Sequence, residues 1–378
     1  MLVAGYDIIC CDLSRGGEME KIQAIKGFKD VLPGRSALWR RMERTAREAL
    51  EAYGYREIRV PVMEHTELFA RSIGAQTDIV EKEMYTFEDA GGRSVTLRPE
   101  GTAGVVRSYI ENGLFKSRPR SKLYYMGPMF RRERPQKGRL RQFHQIGAEA
   151  FGISSPLIDA EQIKMLDEYF GKLGASDLEV IVNSLGCPRC RPGYREKLID
   201  FLAEIPESEL CPDCVRRRVA NPLRVLDCKR EKCKRATEKA PTTFDYLCDS
   251  CREHHERVEE YLAALEVSFK TDPRLVRGLD YYTRTVFEIQ PRTAGAQGSI
   301  CGGGRYDNLI EELGLPEAVV VHSEVEAAKL GLPIDHDDSH AAIHRGSFAL
   351  LIHGTQPAKS NAAKALSQLG KKSSYTRQ

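Results

Sequence analysis

The chain has 378 residues, 41% of them hydrophobic and 29% charged, and a formal net charge of +3. That length allows two or three domains with separate cores, and no run of about 18 apolar residues marks a membrane span. So small a net charge excludes binding of nucleic acid through a global field, and any such affinity has to come from local basic patches.

The opening 21 residues, "MLVAGYDIICCDLSRGGEMEK", lack a basic start and place Asp7 and Asp12 around a short apolar stretch. They read as an unstructured leader, not a signal peptide, with Met1 or Met19 as the start and the cytoplasm as the default location. Residues 36–53 repeat apolar positions at helical spacing through Leu38, Met42, Ala46, Ala49, Leu50 and Tyr53, with Ser36 as N-cap and Gly54 at the C-terminal cap. "YREIRVPV" alternates as a strand, with Pro61 marking an edge or an end. "SVTLRPEGTAGVVRSYIEN" reads as a strand end, a Pro-Glu-Gly turn and a helix. "KLYYMGPMFRRER" and "LRQFHQIGAEAFG" form an antiparallel hairpin with the basic tip "RPQKGR". A helix at 157–173 and the strand "LEVIVN" precede a Cys-rich block whose later part, "CREHHERVEEYLAALE", is helical. "RLVRGLDYYTRTVFEIQ" is a strand or hairpin, and "CGGGRYDNLIEELG" a glycine turn into a helix. This mixture makes an α+β protein with antiparallel hairpins, not a doubly wound sheet.

Beyond Gly314 the character changes. Five of the nine histidines lie there (His322, His336, His340, His344 and His353), with no cysteine and only Phe348 and Tyr375 as aromatics. "SFALLIH" alone reads as a strand.

Four segments and a cysteine block carry the chemistry. In the hairpin, strand parity puts Arg131 with Glu133 and Gln145 with Glu149, so an arginine fit for a phosphate and a Gln/Glu pair fit for an amine can converge on one cleft. A solvated basic hairpin is the alternative. In "LRPEGT", Glu100 precedes Gly101, Thr102 and a helix start, which suits either an ammonium or a plain capping turn. In "RGLDYYTRTVFE", Arg277 and Asp280 are not usual core residues, although Tyr281 and Tyr282 are. The triple glycine of "GGGRYD" permits close backbone approach and is not a P-loop. Eight of the eleven cysteines form the pairs Cys187/Cys190, Cys211/Cys214, Cys228/Cys233 and Cys248/Cys251. That spacing points to metal ligation more than to disulfides.

Taken in order from "IKGFKDVLPG" to "GGGRYDNLIEELG", about residues 22–314, these segments resemble the histidyl-tRNA synthetase family of class II aminoacyl-tRNA synthetases. The resemblance implies an antiparallel class II sheet flanked by helices with a helical Cys-rich insertion. It implies a catalytic core over 22–185 and 270–314, an insertion over 186–269, a leader over 1–21 and an atypical tail over 315–378. It assigns histidine binding to Glu100, Gly101, Thr102, Gln145, Glu149, Tyr281, Tyr282 and Tyr306. ATP binding falls to Arg131, Glu133, Arg139 and Arg277, with Arg131 and Arg277 facing the α-phosphate as the catalytic pair. ATP with Mg²⁺, histidine and histidine tRNA follow as substrates, and "VPVMEHTELFARSIG" resembles the first class motif, which implies a homodimer. The insertion approaches the tRNA acceptor arm in this family. Its eight cysteines can close two Cys₄ zinc sites, with free structural thiols as the alternative.

The family's third motif and its anticodon-binding domain are not matched after Gly314, so a disrupted reading frame is expected there, and with it a loss of sheet core and of an ATP ligand. Two other functions stay open: a catalytically silent paralogue serving as the regulatory subunit of ATP phosphoribosyltransferase, and a zinc-ribbon RNA-binding module.

Overall fold

A computed structural model of the chain describes residues 22–74, 77–135, 139–175, 177–292 and 299–314, and the backbone of 348–354. The leader, Lys137 of the hairpin tip and the rest of the tail, where the frame disruption was expected, lie outside the described residues.

The first helix, α1 (Pro33–Ala52), begins one turn earlier than its apolar spacing suggests. Pro33 takes the first helical position, where its missing N–H costs nothing. Ser36 is therefore inside the helix, its hydroxyl donating to Pro33 O at 2.9 Å, and is not the cap. Gly54 closes the helix at φ +81°, as expected. Of "YREIRVPV" only β1 (Arg56–Glu57) pairs in a ladder. A small antiparallel sheet follows, ordered β2 (Met63–His65), β4 (Ser94–Leu97), β3 (Tyr85–Glu88), with α2 (Thr66–Ile73) leading out of β2.

After the "RPEG" turn come α3 (Thr102–Glu111) and α4 (Leu114–Ser117). Next is the long hairpin of β5 (Ser121–Phe130) and β6 (Gln142–Phe151), whose ten residues each pair in full register. Then come α5 (Leu157–Lys172) and β7 (Leu178–Ser184). The Cys-rich block forms α6 (Arg191–Glu204), α7 (Pro212–Ala220), α8 (Leu223–Leu226), α9 (Glu231–Ala236) and α10 (Asp249–Ala264). Strand β8 (Phe269–Thr271), β9 (Thr283–Pro291), β10 (Cys301–Arg305), α11 (Leu309–Glu312) and β11 (Phe348–Gly354) complete the order.

The main sheet runs β1-β5-β6-β11-β10-β9-β7-β8, antiparallel except where β1 meets β5 and β7 meets β8. Two points differ from the expectations. The segment "CGGGR" is not a turn but a buried strand, paired to β9 and β11. The "SFALLIH" strand is inserted between β6 and β10, so the backbone of the sheet is continuous although the third motif's residues are not matched.

Two cores flank the sheet. One packs α1, α5 and α10 against it through Ala46, Leu50, Ile163, Leu166, Val258 and Leu262. The other joins Phe69, Tyr125, Tyr281 and Tyr306 to Leu198, Leu202 and Cys214, so helices of the Cys-rich block share a core with the hairpin.

Candidate active site

The β5–β6 hairpin supplies the floor. Register places Leu123 opposite Glu149, Tyr125 opposite Gly147, and Gly127 opposite Gln145, all on one face. Gly147 is needed there because a Cβ would be driven into the Tyr125 ring, and Gly101 meets the same ring from the other side. Tyr125 is thus wedged between the hairpin and the turn that starts α3. Its neighbouring glycines were the available signal, and the sequence reading missed it.

Glu100 caps α3. Its carboxylate accepts the N–H groups of Thr102 at 2.7 Å and Ala103 at 3.0 Å, so the capping role is real. Burial nevertheless lifts its carboxyl above the ordinary value, against the two N–H groups and the Arg131 charge. Thr102 Oγ1 donates to Glu149 Oε1 at 2.9 Å, and Tyr306 donates to Glu149 Oε2 at 2.7 Å. Glu149 is fully buried, and burial pushes its pKa well up, opposed by the Tyr306 and Thr102 bonds. Tyr281 stacks edge-on against both Tyr282 (4.7 Å between ring centroids) and Tyr306 (5.7 Å). Burial raises all three phenols; Tyr282 reaches about 12, held back by the Arg277 charge. Both amide atoms of Gln145 and the hydroxyls of Tyr125, Tyr281 and Tyr282 are buried without a hydrogen-bond partner among the described residues. A core seldom leaves so many polar atoms unpaired. A small polar ligand with donors and acceptors would satisfy them.

Arginines stand at two edges of this cluster. Arg131 extends the hairpin by one bond, its N–H donating to Arg141 O at 2.9 Å. Its guanidinium donates to Pro99 O at 2.9 Å and lies 5.2 Å from the Phe143 ring centre. Strand parity ends there, because β5 stops at Phe130 and Arg132 turns to bond Glu83 O. Glu133 is fixed not by parity but by a 2.9 Å ion pair with Arg139. Arg141, on the flank of the basic tip, donates to Glu133 O and Lys26 O and packs on Gly27. Arg277 is largely buried and ion-paired with Glu288 on β9, its Nε without a partner among the described residues. A Cβ at Gly302 would lie 2.7 Å from Arg277 Nη1, and one at Gly304 would lie 2.7 Å from Thr285 O and 2.8 Å from the Tyr282 ring. The triple glycine therefore makes room for Arg277 and Tyr282; it is no phosphate loop. Asp280 bonds Asn221 and not the phenols, at 3.1 and 3.3 Å.

The eight cysteines gather into two quartets. Cys187, Cys190, Cys248 and Cys251 form one, with Sγ–Sγ distances of 3.6, 3.9 and 3.7 Å between neighbours. Cys211, Cys214, Cys228 and Cys233 form the other, with 4.0 Å from Cys211 to Cys228. Four thiolates around a tetrahedral Zn²⁺ with Zn–S of about 2.3 Å stand roughly 3.8 Å apart. The outer two pairs close one quartet and the middle two the other, a pairing that the repeated spacing left open.

The family model described as histidyl-tRNA synthetase matches residues 27–320. A histidine–tRNA ligase of Trichlorobacter lovleyi is 57% identical over 295 residues, 78% of this chain and 70% of that protein. One from Geobacter sulfurreducens is 55% identical over 295 residues, 78% of this chain and 71% of that protein. The structure of apo histidyl-tRNA synthetase from S. aureus superposes with a TM-score of 0.66 at 35% identity, covering 93% of this chain and 75% of that one. An ATP phosphoribosyltransferase regulatory subunit/histidyl-tRNA synthetase from Bacillus halodurans shares the fold at a TM-score of 0.61 and 18% identity, covering 92% and 84%. On the extent of these matches, the chain belongs to the histidyl-tRNA synthetase family.

Proposed function

We propose that this chain activates histidine with ATP and passes the histidyl group to the 3′ end of histidine tRNA. The observation that carries the reading is the buried polar pocket of Gln145, Glu149, Tyr281, Tyr282 and Tyr306, whose amide and two of whose phenols have no hydrogen-bond partner among the described residues. Glu149, Thr102 and Glu100 supply a carboxylate-rich end for the histidine ammonium. Gln145 and the phenols offer donors and acceptors to the imidazole. A pocket of hydrogen-bonding groups rejects isosteres strongly, because a wrong side chain leaves those groups unpaired.

With histidine so held, one of its carboxylate oxygens attacks the α-phosphorus of ATP in line. The new P–O bond forms as the bond to pyrophosphate breaks. Arg131 and Arg277 neutralise the charge on the α-phosphate, Arg277 exchanging Glu288 for it. Arg139 serves the outer phosphates and Glu133 the adenine side. The terminal ribose hydroxyl of the tRNA then attacks the acyl carbon and AMP leaves. Positioning and preorganised charge supply the catalysis. Mg²⁺ enters with ATP.

Zn²⁺ in both cysteine quartets, a catalytic core interrupted by the Cys-rich insertion, and a homodimer through residues 60–74 belong to the same reading. The regulatory-subunit alternative has only the shared fold behind it, and such a subunit has no need of this pocket. A zinc-ribbon module leaves the eight-stranded sheet without a purpose. Histidine-dependent ATP–pyrophosphate exchange by the purified chain tests the proposal. Exchange with histidine and none with other amino acids is expected; histidine-independent ATP binding without exchange overturns it.

A further inference from the structure

The Cys-rich block does more than extend from the core. It touches the backbone of the segment that carries Tyr281 and Tyr282. Arg191, the residue after Cys190, donates from Nη1 to Tyr282 O at 3.1 Å. Asn221, at the end of the helix that carries Cys214, donates to both oxygens of Asp280. Just before Cys187, two backbone bonds join the chain to the same segment, Leu185 N–H to Arg284 O at 2.7 Å and Arg284 N–H to Gly186 O at 2.8 Å. Arg284 sits at φ +47°, a left-handed conformation that costs a non-glycine residue about 1 kcal/mol and persists only where its surroundings impose it.

Among the described residues the Tyr281 and Tyr282 hydroxyls have no partner at hydrogen-bond geometry, and the backbone from Gly278 to Tyr282 lies in no helix or strand. From outside, the loop is held by Asp280 N–H donating to Ile73 O at 3.2 Å and, from the Cys-rich block, by Arg191 beside the first quartet and Asn221 at the end of the helix that carries Cys214 of the second. We propose that Arg191 and Asn221 are positioning residues for the amino-acid pocket, through which the two cysteine quartets clamp the Tyr281–Tyr282 loop. Folding of the quartets sets where Arg191 and Asn221 stand. Arg191 is fixed at the start of α6 by the Cys187 O to Arg191 N–H bond of 3.0 Å within the first quartet's turn. Asn221 is fixed by its N–H donating to Arg217 O at 2.8 Å at the end of α7. The insertion thus acts on the amino-acid site, apart from any contact it makes with tRNA.

This inference rests on the pocket being a histidine site, and its test separates the two. Amide hydrogen exchange of Gly278–Thr283 is measured in the full chain and in Arg191→Met, Arg191→Lys and Asn221→Ala variants, with metal content checked for each. Histidine affinity is measured alongside by equilibrium dialysis. Arg191→Met is expected to speed exchange in the loop tenfold or more and to weaken histidine at least fivefold at unchanged metal content, with ATP affinity unaltered. Arg191→Lys, which keeps a donor, is expected to recover most of both. If Arg191→Met does not fold, Asn221→Ala gives the same reading with a smaller shift. Loop exchange within twofold of the parent in every folded variant overturns the clamp. A parent chain that does not bind histidine overturns the proposed function, and the exchange data still decide the clamp.

Discussion

Arg305 on β10 and Asp159 on α5 form an ion pair that is wholly inside the protein, at 1% and 0% side-chain exposure. Asp159 also takes His254 Nε2 of α10 at 2.8 Å, and Arg305 adds bonds to Ser155 O at 3.1 Å and Ile153 O at 3.3 Å. Burial alone raises the Asp159 pKa, but the Arg305 and His254 charges outweigh it and bring it to about 2 from 3.8. Since the folded value is the lower one, the stabilisation is complete above about pH 4 and is lost as pH falls from there through about 2. Asp159→Asn leaves the buried Arg305 guanidinium with only its 3.3 Å pair to Asp307 and should cost about 3 kcal/mol in urea unfolding at pH 7. Its acid transition should lose the step between those values; a parent-like transition in the variant contradicts this.

The glycine strand should show a graded response. At Gly302 a Cβ meets only the far end of Arg277, which can move, whereas at Gly304 it meets the Thr285 carbonyl oxygen, which cannot. Gly304→Ala should therefore lose about 1–3 kcal/mol of stability as overpacking does. Gly302→Ala should unfold close to the parent and lose adenylation, because the displaced group is a proposed α-phosphate ligand. Calorimetry and pyrophosphate exchange measured together check the split.

Histidine affinity should rise with pH as Glu149 ionises, at a midpoint above the ordinary carboxylate value, since burial raises that group against its Tyr306 and Thr102 bonds. Removing the charge by Glu149→Gln should weaken histidine by about 10–100-fold, the loss expected of one charged hydrogen bond, and should abolish that part of the pH profile. Equilibrium dialysis across pH on both proteins is the measurement.

Purified protein should carry two equivalents of zinc. Cys190→Ser and Cys214→Ser should each remove one, because the two belong to different quartets. Chelation should lower the melting temperature of the parent. Zinc below half an equivalent in protein purified without chelator counts against both sites.

On the small sheet, Met63 and Phe87 share one face and are 48% and 46% exposed, with Val62 just before β2 at 40%. Met63→Glu should convert the proposed dimer to monomers in light scattering, with the melting transition of the monomer intact.

Much of this arrangement was legible in the sequence where the signal is local. The hairpin declared itself as two strand segments joined by a basic, glycine-containing loop, and Gln145 and Glu149 fall on one buried face as strand parity requires. Helices α5 and α10 followed from spacing. Contacts between distant segments were not legible. Arg305 and Asp159 lie 146 positions apart, and an arginine after three glycines suggests a loop until Arg277 and Tyr282 are seen to need the space. Helix α1 was misjudged at its start because Pro33 competes with Ser36 for the end of the helix. Parity gave Arg131 its place but failed for Glu133, since pairing had already stopped and an ion pair took over.

The quartet of Cys187, Cys190, Cys248 and Cys251 also bears on how the chain folds in time. Strands β7 and β8 are ladder neighbours, yet the whole Cys-rich block separates them in sequence. Bringing the ends of such a stretch together costs roughly 4 kcal/mol of chain entropy for 61 residues, the separation of Cys187 from Cys248. Ligation of the four thiols should close that stretch, leaving Leu185 and Gly186 on one side and the helix α10 with its exit on the other as the remaining tethers. The last parallel pair of the sheet then forms as a local event, so metal supply should set the refolding rate of that edge and leave the β5–β6 hairpin, which closes on its own turn, untouched.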